Sequence, residues 1–347
     1  MERDRDGAGT HERVSEHARV AHPTMEDVAR RAGVSRALVS LVLNGSPKVG
    51  EKRRTLVLDA CNELGYRRNA VARHLARGRT SSVGVMLNDL HNPFFAEIYD
   101  GVAIATAKLG YRTLLTAGGH REREQAALDD MLEHRVDGIV LVSPRLATSA
   151  IAALAQTTPV VVIGRVVDHP RVDCVTGDEA EGARLVVQHL VELGHRAIVH
   201  VHGGQGAGAD ERRDGYERAM EAHGLAADVI AGDFTEQAGI DAATQVVARR
   251  VRPTALFAAN DLCAVGALDA LGSAGLDVPG DVSIVGYDNT FLARLRHLSL
   301  TSIAQSTGEM GEMAVSLLAE RLNGERTRRV VRLVTPSLVV RSTTGPV

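Results

Sequence analysis

The sequence predicts two fold classes in one chain: an all-α helix-turn-helix headpiece in front and a two-lobed α/β body behind it. Three observations carry this. Charge is split, since residues 24–80 hold twelve Lys and Arg against five Asp and Glu, while residues 81–347 hold 24 against 33. From Thr24 to Gly65 apolar residues recur at helical spacing between glycine stops. From Ser81 onward short apolar runs alternate with helical patterns that end in KLGY, ELGH, AHGL or SAGL. That alternation is the mark of parallel sheets covered by helices on both faces.

The chain as a whole sets the limits. At ~100–200 residues per domain, its 347 residues imply two or three domains. With 44% hydrophobic residues a sizeable core can form, which excludes a chain disordered throughout. No apolar run approaches the ~18 residues of a membrane span. The polar start MERDRDGAGTHERVSEHARV lacks the apolar segment of a secretory signal. The expectation is a cytoplasmic, nucleoid-associated protein with no membrane partner. Cys61, Cys174 and Cys263 form no CxxC pair, which argues against a disulfide framework or a zinc ribbon.

Residues 1–22 have no apolar periodicity and read as a disordered tail. Thr24-Met-Glu-Asp27 then reads as a capping box, with Met25, Val28, Ala29 and Ala32 on one helical face and Gly33 as the stop. Ser35 can cap a second helix whose inward face is Val39, Val42 and Leu43. A third helix is expected from about Glu51 to Leu64, with Leu56, Val57, Ala60, Cys61 and Leu64 apolar and Gly65 ending it. Two short helices joined by a tight glycine turn make a helix-turn-helix. Arg36, Ala37, Ser40 and Leu41 face outward on its second helix. Arg36 stands near the N-terminus, the end that reaches base edges. An Arg there can take guanine O6 and N7 together, worth ~1–3 kcal/mol of discrimination; the plainer alternative is a phosphate contact.

TMEDVARRAGVSRALVSLVLNG, followed by ELGYRRNAVARHLARGRT, resembles the headpiece of the lactose-repressor/galactose-repressor (LacI/GalR) family. The likeness runs from about Thr24 to the C-terminus. It implies a repressor that binds a pseudo-palindromic double-stranded DNA operator as a homodimer. The candidate DNA-contacting residues are Thr24, Ser35, Arg36, Ala37, Ser40, Leu41, Asn44, Asn69, Arg73, Leu75 and Arg77. Two departures stand out: Leu38 where the family usually has Thr, and Leu41 where it usually has Arg. Asn69–Arg79 matches the family's hinge. The resemblance implies a short helix that pairs with a twin copy and wedges Leu75 into the minor groove. The expected boundaries are 23–68 for the headpiece, 69–80 for the hinge, 81–341 for the body and 342–347 for a tail. No heptads follow the last strand, so a tetramer on a C-terminal bundle is not expected.

In the body, strands are expected at SSVGVMLND, YRTLLTAGG, Asp137–Val142, Val160–Ile163, Ala197–Val201, Val229–Ala231, Ala255–Ala258 and Ser283–Gly286, with helices between. About 260 residues is long for one doubly wound sheet, which predicts two lobes and a cleft. The resemblance implies a type I periplasmic-binding-protein-like body, crossed between lobes near Arg165, near Asp288 and around Val330. Ligands bind beyond the carboxyl ends of such strands. Those ends deliver Asp89, Phe94, Phe95, Ser143, Arg212, Phe234, Asn260, Asp288 and Gln305. Aromatics, carboxylates, amides and one Arg suit a sugar, with a nucleobase as the alternative effector. The resemblance assigns the effector role specifically to Phe95, Arg212, Phe234, Asn260 and Asp288. Gly164 stands where the family often has Asp.

Two weaker signals are set aside. Gly203-Gly-Gln-Gly-Ala-Gly208 does not fit GxGxxG in register, so no nucleotide cofactor is expected. His200 and His202 share a strand face, but no Cys or carboxylate is placed near them in sequence, so no metal is expected. With no GxSxG, Walker A or paired-carboxylate motif, no catalytic residue is assigned and the chain is not expected to be an enzyme. The rival readings are a sugar-binding protein, which would lack the headpiece, and a sugar-converting α/β enzyme, which would show turnover.

Overall fold

The structure, a computed structural model, describes residues 23–67, 79–119 and 121–347. It divides into a headpiece and a body, with the division inside the undescribed stretch 68–78. The expected tail, residues 1–22, and the expected hinge up to residue 78, with Asn69, Arg73, Leu75 and Arg77, lie outside the described residues.

The headpiece is α1 (Met25–Ala32), α2 (Arg36–Leu43) and α3 (Glu51–Glu63). The capping box is present: Asp27 N donates to Thr24 Oγ1 at 3.3 Å, and Thr24 N donates to Asp27 Oδ2 at 2.9 Å. Gly33 closes α1 at φ 66°, a conformation that costs most residues a steric penalty. Ser35 Oγ then caps α2 by accepting from Leu38 N at 3.2 Å. Val28, Ala29, Val39, Val42, Val49, Val57, Ala60 and Cys61 form the shared core. Leu56 does not join it; with Leu58 it lies on the outer side of α3.

Two six-stranded sheets build the body. The first has order β11-β5-β4-β3-β1-β2, from β1 (Ser82–Leu87), β2 (Arg112–Ala117), β3 (Gly138–Val142), β4 (Val160–Ile163), β5 (Val172–Gly177) and β11 (Val331–Val334). The second has order β12-β10-β9-β8-β6-β7, from β6 (Ile198–Val201), β7 (Val229–Ile230), β8 (Ala255–Phe257), β9 (Ser283–Asp288), β10 (Thr301–Ala304) and β12 (Ser337–Val339). All pairings are parallel except β12 on β10, so the second sheet is mixed rather than wholly parallel as expected. Strands β3, β4, β5 and β9 are buried along their whole length, because helices cover both faces. The flanking helices of the first lobe are α4 (Pro93–Lys108), α5 (Arg121–Glu133) and α6 (Thr148–Leu154). Those of the second are α7 (Glu179–Glu192), α8 (Ala209–Ala222), α9 (Glu236–Ala248), α10 (Asp261–Ser273) and the short α11 (Phe291–Arg294).

The three crossings between lobes fall later than expected. The first follows β5, at Gly177–Glu179, not near Arg165. The second follows β10, at Gln305–Thr307, not at Asp288. The third lies between β11 and β12, beyond Val330. After the second crossing α12 (Thr307–Leu322) returns to the first lobe, where Met310, Ala314, Val315, Leu317 and Leu318 enter the core of β1, β3, β4 and β5. It crosses α4 closely: a Cβ on Gly101 would stand 2.1 Å from Gly308 O, and one on Gly311 would stand 2.4 Å from Ile98 O.

Residues 342–347 are no tail. Thr343 Oγ1 donates to Ile284 O at 2.7 Å and accepts from Thr301 N at 2.9 Å. Gly345 O lies 3.0 Å from His195 Nε2. The segment packs onto the second lobe because these buried backbone groups need partners.

Candidate functional site

In the headpiece the outward face of α2 is Arg36, Ala37 and Leu41, all exposed, with Ser40 half-buried. Asn44 Nδ2 donates to Ser40 Oγ at 3.3 Å, joining two of the expected DNA-contacting side chains. The Thr24 and Ser35 hydroxyls serve as helix caps, fixing where α1 and α2 begin. Leu38 is half-buried against the headpiece core. An apolar side chain at that position therefore adds packing where a Thr would present a hydroxyl. Leu41 is 44% exposed, an apolar group on the outward face of α2.

In the body, strand ends from both sheets converge on one cavity of about 250 Å³. From the first lobe come Asn88 and Asp89 after β1, Asn92, Phe94 and Phe95 at the start of α4, Ser143 and Arg145 after β3, and Gly164 after β4. From the second come Glu179 at the start of α7, Arg212 on α8, Asp233, Phe234 and Thr235 after β7, Asp288 ending β9 and Gln305 after β10. Eight of the nine expected effector residues line it: Asp89, Phe94, Phe95, Ser143, Arg212, Phe234, Asp288 and Gln305.

Asn260 is not among them. Its Oδ1 caps α10 by accepting from Cys263 N at 2.8 Å, and its Nδ2 donates to Phe234 O at 3.3 Å. It sits behind Phe234 and holds that backbone in place. The reason is geometric: Asn260 lies three residues beyond β8 and begins a helix, and the cap turns its amide inward.

Arg212 organises the second-lobe wall. Its Nε and Nη2 donate to Glu179 Oε2 at 3.2 and 2.8 Å, and Nη1 donates to Ala259 O. The guanidinium lies 3.4 Å from the Tyr287 ring centroid and 5.3 Å from that of Phe234. Burial opposes its charge, but Glu179, Tyr287 and Asp288 outweigh that and hold its pKa above the ordinary value. Asp288 accepts from Gln305 Nε2 at 2.7 Å. Burial pushes its carboxyl well above the usual range, so it can carry a proton and donate. Its neighbour Asp261, also buried, is pushed up to about 6 by desolvation, against hydrogen bonds from Ser302 and Thr290.

The backbone bends to make this wall. Asp288 has φ 101° and Ser143 has φ 49°, both in the region that side chains avoid. Gly164 has φ 93°, and a Cβ there would stand 2.5 Å from Ser143 Oγ. No carboxylate fits at that position without displacing Ser143. Gly203 and Gly206 lie against the Phe234 ring, where a Cβ on either would come within 2.4 Å of a ring carbon. The glycine-rich loop thus makes room for an aromatic ring.

One link joins the two lobes outside the cavity. Glu97 on α4 accepts from Phe291 N at 2.9 Å and from Arg294 Nη2 at 3.1 Å, both on α11, and from Thr307 Oγ1 at 3.1 Å. Sequence reasoning missed Glu97, Glu179 and Arg145. Among the described residues no cluster of three or more His, Cys, Asp or Glu could hold a metal. No described helix is long and apolar enough to cross a membrane.

Comparison with known proteins adds to this geometry. Residues 24–69 match the bacterial regulatory proteins of the lacI family, and residues 187–344 match the periplasmic binding protein-like domain. The HTH-type transcriptional repressor PurR of Pasteurella multocida is 35% identical over 325 residues, which is 92% of this chain and 97% of that protein. The lac repressor dimer bound to operator and the anti-inducer ONPF superposes with a TM-score of 0.84 at 30% identity, over 94% of this chain and 100% of that one. The complex of the transcriptional regulator CelR with cellobiose gives a TM-score of 0.70 at 33% identity, over 93% and 100%.

Proposed function

The chain belongs to the LacI family of DNA-binding transcriptional regulators, and from that premise we propose that it is a repressor whose hold on its operator is set by a single-ring sugar in the cleft of the body. The observation that carries the effector half is the convergence of strand ends from both lobes on one cavity. A ligand touching both lobes favours one lobe arrangement over another. Effector and operator affinities are then coupled reciprocally, typically by ~1–3 kcal/mol.

Size and chemistry support the sugar. The cavity of about 250 Å³ falls below the ~300–1,000 Å³ common for drug-sized ligands, so one ring fits. Phe94, Phe95 and Phe234 offer faces for C–H groups, and Asn88, Asp89, Asn92 and Asp288 offer acceptors for hydroxyls. A nucleobase is the second reading, because the same phenyl rings can stack on a flat heterocycle, and a relative carries the name PurR.

In the headpiece, Arg36 with Ala37, Ser40, Leu41 and Asn44 would read the major groove, while Thr24 and Ser35 fix its pose on the phosphates. Asn69, Arg73, Leu75 and Arg77 would serve the hinge of a homodimer working in the cytoplasm. The test is a thermal-shift screen of monosaccharides and nucleobases on the full chain, followed by binding to DNA flanking its own gene with and without each hit. A hit that changes DNA affinity supports the proposal. Hits without any change in DNA binding, or steady conversion of a hit to product, overturn it.

A further inference from the structure

A guanidinium in a sugar-sized cavity invites an anion, and phosphate esters are common anionic forms of single-ring sugars. Arg212 is buried to 3% exposure and lies on the cavity wall. Yet three of its donor contacts are already made, two to Glu179 and one to Ala259 O, and its face is covered by Tyr287. Arg145, the other cation on the wall, is engaged as well. Three carboxylates, Asp89, Glu179 and Asp233, share the wall with these two guanidiniums, beside the Asp288 carboxyl that burial favours in its protonated form.

Two helix N-termini at the cavity are capped by side chains. Asn92 caps α4 by accepting from Phe94 N, and Asp178 caps α7 by accepting from Glu181 N. The N-terminus of α8 begins at Gly208 without a side-chain cap, and the Glu179 carboxylate lies beside it: a Cβ on Gly208 would lie 3.1 Å from Glu179 Cδ. One carboxylate therefore answers both the Arg212 charge and the positive end of α8.

We propose that Glu179 sets the charge class of the effector, withholding Arg212 so that the cavity takes uncharged, hydroxyl-rich rings and refuses phosphorylated or carboxylated ones. This rests on the cleft being the effector site. An anion entering would have to displace Glu179 from a buried, charge-assisted pair, leaving that carboxylate without its partner. A neutral polyol instead meets acceptors that suit its hydroxyls.

The test titrates the full chain with inorganic phosphate, D-ribose 5-phosphate and D-glucose 6-phosphate at matched ionic strength, by thermal shift and calorimetry. Wild type should show no stabilisation beyond that of potassium chloride. Glu179→Gln should bind at least one of the three anions about tenfold or more tighter than wild type, and the gain should vanish in the Glu179→Gln, Arg212→Gln double variant. Wild-type binding of any of these anions that Arg212→Gln removes overturns the proposal, as does a folded Glu179→Gln that gains none. Should Glu179→Gln fail to fold, the wild-type titration decides alone. D-Ribose and D-glucose with a Phe234→Ala control test the cleft separately. A sugar that binds this variant as well as wild type would fault the effector site and leave the Glu179 result standing.

Discussion

Gly101→Ala tests how the cleft is held open at its first-lobe wall. The added Cβ would lie 2.1 Å from Gly308 O and 2.9 Å from Gly308 C. Both atoms are backbone, so no side chain can swing aside. Ordinary contact begins at 3.4 Å, so α4 and α12 must part by about 1.3 Å. Overpacking of this kind costs ~1–3 kcal/mol, offset in part by the ~1 kcal/mol that Ala gains over Gly inside a helix. Parting the helices also loosens Ile98, Val102, Met310 and Ala314 in the core they share. The expected net loss is about 1 kcal/mol, a fall in melting temperature of ~2–4 °C for a body of this size. The assay is thermal unfolding followed by circular dichroism, with Gly272→Ala as control, since a Cβ there meets nothing within 4 Å. The control should hold or gain stability. Because the first turn of α4 carries Phe94 and Phe95, the variant should also bind effector more weakly. Gly101→Ala melting at or above wild type would refute the reasoning.

Arg36→Ala should weaken operator binding by ~1–3 kcal/mol and relax preference at one base position; uniform weakening across all sequences, read by selection from random DNA, would reassign Arg36 to phosphate. Asp261 has a folded pKa of about 6 against 3.8 when unperturbed, so its contribution is full below pH 4 and is lost as pH rises through 6. Relative to Asp261→Asn, wild type should therefore lose about 3 kcal/mol across that window in urea unfolding; parallel pH curves would contradict this. Glu97→Ala removes two inter-lobe hydrogen bonds, one from an Arg294 that is largely exposed and so counts for little. Effector affinity should fall about tenfold, and an unchanged calorimetric affinity would show that this link does not hold the lobes.

Most of the architecture was legible in the sequence because local signals were strong and agreed. The Thr24–Asp27 box, the Gly33 turn and the Ser35 cap all appear where the residues place them. Strand β4 is Val160–Ile163 as read, since four apolar residues between turn signals leave little choice. Strand β5 was not read, and Asp173 explains why. A carboxylate at the second position of a strand looks like a loop residue, yet here it is fully buried and paired with Arg321 and Arg326, about 150 positions away. Those hydrogen bonds and that of Val330 N outweigh burial and hold its carboxyl below the usual range. Missing β5 displaced the first crossing and hid Glu179, which stands just beyond its carboxyl end. The strand before Gln305 was anticipated, but the second crossing was set one strand early, at the end of β9 instead of beyond β10. Leu56 failed for a different reason: Leu56, Val57 and Leu58 are consecutive in α3, and spacing alone did not show that only Val57 faces inward. Asn260 failed because a residue just beyond a strand that is also a helix start has two claims on one amide.

The first lobe draws α12 and β11 from residues 307–334, after the whole run that builds β6 to β10. A ribosome therefore releases the front half of the body with one side of its apolar core bare. That core stays open until the rear half has been made and the returning helix arrives. Synthesis order and completion order are inverted, and a stop codon anywhere before about residue 322 leaves the front lobe, and not only the missing end, unfinished.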